Sequence, residues 1–515
     1  MRIRLPILVR GQFLALAAGV LAMGTAMATP AAADWRRAES PRFILYSDGD
    51  VGVLRDYAQK LETFDRLLRA IHGLPLSEVP DRRLPIYLVG SQRDIQQVRP
   101  GAGSSIQGFY LARDEDIFAI AVRTRKQDEV LLHEYVHHFM LQNFSAAYPG
   151  WLIEGYAEYF MTTDIGSPHI GVGRPDPDRV AWLATETWIP LADLLTKRPG
   201  EFRRAEDRVL YYSQAWLITH YFMSDPDRQK MLWAYIDAVG SGQDPVTALE
   251  TVTGLTASGF ERAVRDYFRG RTRIINYRAD LFPQATITVT DLGAAENDLM
   301  LLSRRLIVGA PEGERAATAE DVRRAAARHG RDPFARLTLA HAELHFGDKA
   351  RGVALLQELL ADHPDHVEAL QYLAAAKLSA ARDGDDDDDG ALREARTLLA
   401  RAYALDPGQY RTYLLLAQAR EGAPGYPNEN DLQTWQLAYS LAPQLAEVRV
   451  GAARALIMRE RFDEAIAILG PLANDPHGGQ GAVIAGQMIA FARAGQTPPE
   501  ALDEEAGDAG AESQP

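Results

Sequence analysis

Val130-Leu131-Leu132-His133-Glu134-Tyr135-Val136-His137-His138-Phe139 decides how this chain is read. On a helix, His133 and His137 stand four residues apart and therefore share one face. That is the spacing a tetrahedral zinc site asks of two nitrogen ligands. Glu134 follows the first histidine directly, so its carboxylate can reach an open coordination position without filling it and can serve as general base. Val130, Leu131, Tyr135, Val136 and Phe139 are apolar or uncharged, as in a helix packed inside a domain. A glutamate buried between two histidines must be paired or metal-bound.

The stretch Pro149-Gly150-Trp151-Leu152-Ile153-Glu154-Gly155-Tyr156-Ala157-Glu158-Tyr159-Phe160 opens a second helical run in which Glu154 and Glu158 share a face. Zinc requires a third protein ligand, and Glu154 can supply it. Glu158, one turn on, is placed to hydrogen-bond the second nitrogen of a ligating histidine and fix its tautomer. Solvated glutamates on an exposed helix would not stand among Trp151, Leu152, Tyr156, Tyr159 and Phe160.

His133-Glu134-x-x-His137 followed by Trp151-Leu152-x-Glu154-Gly155-x-Ala157-Glu158-Tyr159 resembles the gluzincin zinc metallopeptidases, closest to the bacterial peptidase-MA-like proteins. These are distant relatives of thermolysin and of the aminopeptidase N group. The resemblance covers about half the chain. It implies an α+β zincin-like fold and one zinc ion held by His133, His137 and Glu154, with Glu134 activating the water. The gap between His137 and Glu154 is slightly shorter than in those relatives, which leaves Glu158 as a rival third ligand. No Gly-x-Met-Glu-Asn is present, so the free-amine grip of an aminopeptidase is missing and an endopeptidase is implied instead. Relatives also carry a tyrosine about this far past the glutamate ligand. Tyr212 is accordingly the candidate oxyanion donor, with Tyr211 and His220 as rivals. In zinc peptidases an edge strand lies above the metal and offers its backbone to an extended substrate. Ile117 to Val122 is nominated for that role, the alternative being an interior strand.

Length allows two or three domains. The formal net charge is −15. An acidic surface of this kind repels phosphate backbones, so nucleic acid and anionic membranes are not expected partners. Residues 1–33 read as a secretory signal: Arg2, Arg4 and Arg10, an apolar run from Phe13 to Ala28, then small residues, with cleavage near Ala33. After its removal no membrane-spanning run is left. The chain has no cysteine, hence no disulfide and no thiol nucleophile. Exported yet disulfide-free, it is expected in a bacterial periplasm or secreted.

Residues 34–276 read as the zinc domain, a small mixed sheet plus helices. Strands are expected at 42–46, 84–89, 108–111 and 116–122. A helix over 50–71 has Leu54, Tyr57, Leu61, Phe64 and Leu68 on one face. Mostly helical sequence follows Phe160, including the apolar run from Val209 to Phe222. Residues 277–319 read as a connector. Residues 320–495 read as an all-α solenoid resembling tetratricopeptide (TPR) repeats, because from Asp332 alanine- and leucine-rich helix pairs recur near the ~34-residue TPR period. Asp406-Pro407 and Asp475-Pro476 are typical repeat endings, and the acidic run 383–390 interrupts one unit as a solvated loop or, more weakly, a calcium site. The tail 496–515 is acidic and expected to be disordered.

The expected function is an exported zinc endopeptidase acting on a peptide or protein substrate, with the array holding substrate or an unidentified protein partner. Two readings stand beside it. One is a periplasmic TPR adaptor with a silent metal site; the other is a zinc hydrolase with a non-peptide substrate.

Overall fold

The computed structural model describes residues 34–499 except 104–105, 124–127, 167, 271 and 383–387. The expected export signal, most of the acidic interruption and all of the tail beyond 499 lie outside the described residues.

The chain begins with β1 (Arg36–Glu39) and β2 (Phe43–Ser47), then α1 (Val51–Ile71), β3 (Leu84–Val89), α2 (Gln92–Val98), β4 (Gly108–Ala112) and β5 (Ile117–Val122). Asp50 caps α1 by accepting from the Gly52 and Val53 backbone N–H groups at 2.8 and 3.1 Å. Gly73, at φ 67°, ends the turn that follows, a conformation glycine adopts without strain. The expected apolar face of α1 is buried in the core.

Next come α3 (Glu129–Asn143), α4 (Gly150–Met161), β6 (Asp164–Ile165), β7 (His169–Val172), α5 (Pro177–Thr185), α6 (Leu191–Thr196) and α7 (Ala205–Met223). The segment continues through α8 (Pro226–Gly240), α9 (Pro245–Thr253), α10 (Ala257–Arg269), β8 (Ile275–Arg278) and β9 (Thr288–Asp291). The main sheet has the order β4-β5-β3-β2-β1-β9, with β2, β3 and β5 parallel and β4, β1 and β9 antiparallel to their neighbours. A second ribbon joins β6, β7 and β8.

Ile117–Val122 is therefore interior, not the edge strand nominated from the family resemblance. Ile117, Ala119 and Ala121 share a core with α1 and α3, while Phe118 and Ile120 pack on the other face among residues of α2 and the helices beyond β9. A strand without a polar position is one whose two faces are both covered. The edge belongs to β4.

A buried ion group fastens α1 to α3. Arg42 bridges Glu62 at 3.0 Å and Asp65 at 2.6 Å, and the Tyr135 hydroxyl donates to Asp65 at 2.6 Å.

The rest is helical: α11 (Ala294–Val308), α12 (Glu312–Ala326), α13 (Pro333–Phe346), α14 (Lys349–Asp362), α15 (Val367–Arg382), α16 (Asp388–Leu405), α17 (Tyr410–Gln418), α18 (Glu429–Leu441), α19 (Ala446–Met458), α20 (Phe462–Ala473) and α21 (Gly479–Arg493). Successive helices pack as pairs stacked on their neighbours, as a TPR-like array requires. Pro407, Pro443 and Pro476 fall between pairs. The stretch 277–319 is structured: β9 extends the sheet by pairing with β1, and α11 covers a sheet face. Among the described residues no helix is long and apolar enough to cross a membrane.

The array is latched to the sheet at the β4–β5 turn. Glu115 lies 2.9 Å from His341 Nε2, 3.0 Å from His345 Nε2 and 3.7 Å from Arg411. Burial opposes ionisation of Glu115, but His341 and His345 outweigh it and hold its carboxyl well below the usual range. Burial likewise opposes charging of His345, but Glu115 outweighs it and raises that imidazole above 6.5. A raised histidine stabilises the fold fully below its unfolded value and ceases to do so as pH climbs through its folded one. His345→Gln should therefore be less stable than wild type below pH 6.5 and converge with it on the alkaline side. Urea midpoints across pH check this; a difference that does not shrink as pH rises would remove the latch.

Candidate metal centre

α3 and α4 lie side by side, and α4 rests in turn on α7. Gly155 sets that approach: a Cβ there would meet the Ala215 carbonyl oxygen and Thr219 Oγ1, each at 2.4 Å. The glycine beside Glu154 thus lets α4 lie close against α7. Gly155→Ala should destabilise by about 3 kcal/mol, the upper part of the overpacking range, read as a lower urea midpoint at unchanged slope. A midpoint equal to wild type would show that the two helices can spread freely.

The two helices bring His133, His137 and Glu154 together, with one ligand atom of each within 4.8 Å of the others. His133 Nε2 and His137 Nε2 stand 3.0 Å apart. Glu154 Oε2 is 3.4 Å from the first and 3.7 Å from the second. Ligands about 2.0–2.1 Å from one tetrahedral ion would be roughly 3.3–3.4 Å apart, so the three separations bracket the value zinc needs. Glu154 is fully buried, and neither of its oxygens has a hydrogen bond. A buried carboxylate needs compensating positive charge; His477 offers it at Oε1, 2.8 Å away, while Oε2 is left facing the two Nε2 atoms. The donor set of two imidazoles and a carboxylate fits zinc, and these residues could hold one ion.

Glu158 faces the other side of the first histidine. Its Oε1 is 3.7 Å from His133 Nδ1, and Arg179 on α5 holds both of its oxygens at 2.8 Å. Of the two glutamates, Glu154 is the one turned towards both Nε2 atoms. Arg179 is absent from the sequence reading: Asp176-Pro177 marks a helix start, but nothing local directs Arg179 to Glu158.

Glu134 is half-buried on the wall of the adjoining cavity. Burial raises its carboxyl above the usual range, against the pull of His133 and His477. His137 is pushed down to about 3 by burial, its neutral form being the one that ligates. Tyr212, on α7, has Glu154, Glu158 and Glu134 as its anionic neighbours, and burial first, then these carboxylates, raises its phenol. Arg179 lies over its ring at 5.6 Å. Of its rivals, Tyr211 is fully buried with an unpartnered hydroxyl. His220 is occupied elsewhere, with Nδ1 on the Tyr267 hydroxyl at 2.7 Å and Nε2 on the Gly173 carbonyl at 2.9 Å. His138 turns to Tyr110, 3.1 Å from its hydroxyl.

His477 is the second residue that sequence reasoning missed. It comes from the α20–α21 loop, and its Nε2 lies 2.8 Å from Glu154 Oε1 without the alignment of a hydrogen bond. Burial works against its charge, yet Glu154 pushes it up to about 10. In sequence it reads only as part of a repeat ending, more than 300 residues from the motif it meets.

No family model and no curated protein matches the chain. It is similar to the crystal structure of a thermophilic TPR protein of Thermus thermophilus, at 22% identity and a TM-score of 0.34, covering 38% of this chain and 100% of that one.

Proposed function

We propose that the chain is an exported zinc-dependent metallopeptidase of the gluzincin type, cleaving within peptides. The observation that carries this reading is the convergence of the buried Glu154 Oε2 on the Nε2 atoms of His133 and His137. Zinc supplies Lewis-acid polarisation of a carbonyl and makes water acidic enough to attack near neutral pH.

The side chains do the rest. His133 and His137 would present their Nε2 atoms to the ion, with Glu158 and Arg179 orienting the first. Glu134 takes the proton of the attacking water and delivers it to the leaving amine. A carboxyl raised by burial suits both halves of that task, since its affinity for the proton moves towards working pH. Tyr212, kept protonated, donates to the oxygen on which negative charge develops. The array and the lack of a Gly-x-Met-Glu-Asn stretch in the sequence favour cleavage inside a chain over removal of single residues.

The purified protein should contain about one zinc per chain and cleave an unstructured protein. A zinc chelator should stop the cleavage and added zinc restore it. Cleavage indifferent to the chelator, or a chain that binds no metal, would overturn the reading.

A further inference from the structure

A cavity of about 510 Å³ lies between the β4 edge of the sheet and the C-terminal helices. One wall is the strand from Gly108 to Ala112 with Glu134 and His137 at its foot; the other includes Trp435, Val450, Gly481 and Ile484 of α18, α19 and α21. His477 closes the end nearest the metal ligands. The walls are tied on two sides. Tyr410 donates to the Arg113 carbonyl at 3.1 Å, and Asn474 donates to the Ala147 carbonyl at 3.1 Å. The array therefore closes over the site and does not stand clear of it.

Two features define what fits. An end strand leaves one row of backbone N–H and C=O groups unpaired by its own sheet, and such a row recognises main chain whatever the side chains are. The volume falls within the range of enclosed small-ligand sites, about 300–1,000 Å³. It admits a few residues of extended chain and excludes the surface of a folded domain.

We propose that the repeats form the second wall of the peptide site in cis, so that the substrate is a short or locally unfolded peptide laid along β4. The inference rests on the peptide reading of the metal centre. It gives the array work inside its own chain, in place of capturing a separate protein.

The test uses the full chain carrying Glu134→Gln, which prevents turnover, and a fluorescein-labelled pool of end-blocked random octapeptides whose binding is read by anisotropy. Gly481→Phe fills the cavity from the repeat side, since a Cβ there meets nothing closer than 3.9 Å and the helix accepts the residue. Gly486→Phe, at an exposed site on the same helix with nothing within 4 Å, is the control. Gly481→Phe should weaken binding at least tenfold, roughly the effect of a steric block in a shaped pocket, and Gly486→Phe should leave it unchanged. Reduced, carboxymethylated lysozyme should compete with the peptides and native lysozyme should not. Should Gly481→Phe unfold the chain, Val450→Trp fills the same space from α19.

Octapeptide binding that ignores both filling variants, equal competition by native lysozyme, or no octapeptide binding at all would overturn the proposal. Intact peptide binding in a wild-type protein that never hydrolyses peptides would sink the peptidase reading alone. Hydrolysis indifferent to Gly481→Phe would sink the enclosed site alone.

Discussion

Glu134→Gln should lower turnover of an unstructured peptide by roughly 10² to 10⁴, the range for a positioned general base, while leaving zinc content at the wild-type level. The split between the two readouts is what makes the variant informative. Glutamine keeps the size of the side chain and removes the basicity. The three grouped ligand atoms belong to His133, His137 and Glu154, so the cage should survive. Half-buried Glu134 opens on the cavity and carries a carboxyl raised by burial, so its loss should appear in kcat. Turnover within a few-fold of wild type would exclude it as the base. Lost zinc would instead make it a ligand.

Glu154→Gln should reduce zinc affinity by more than about 100-fold, because loss of a partner that merely orients a ligand already costs 10–100-fold. Glu158→Gln belongs to that milder class. The ordering follows from geometry: Glu154 Oε2 lies 3.4 and 3.7 Å from the two Nε2 atoms, whereas Glu158 lies on the Nδ1 side of His133 and is engaged by Arg179. Competition with a chromophoric chelator measures both variants. If Glu158→Gln loses more affinity than Glu154→Gln, the third ligand has been misassigned and the short spacing from His137 is the reason.

What was legible in the sequence is what depends on local periodicity. The three- and four-residue apolar steps placed the helix Val51–Ile71, and the four-residue histidine spacing placed both imidazoles on one face of Glu129–Asn143. The sheet edge was misjudged because resemblance was given priority over pattern. Ile117-Phe118-Ala119-Ile120-Ala121-Val122 has no polar position, and that alone argues for cover on both faces. Arg179 and His477 were illegible for another reason. Each meets its carboxylate through tertiary packing, and nothing within a few residues of either encodes the partner. The region 277–319 was read as loose because its strand is short and polar, Thr288-Val289-Thr290-Asp291, and gains order from the ladder it joins.

That short strand bears on where the chain can be divided. Cutting after residue 276, where motif and repeats part company in the sequence, would strip the outermost rung from β1 and uncover the face that α11 shields around Trp35 and Tyr87. An unprotected hydrogen-bonding margin beside bare aromatic surface invites strands of other molecules to dock. The half that holds His133, His137 and Glu154, released in this way, should precipitate for reasons unrelated to its chemistry, and its silence in an assay would say nothing about the intact protein.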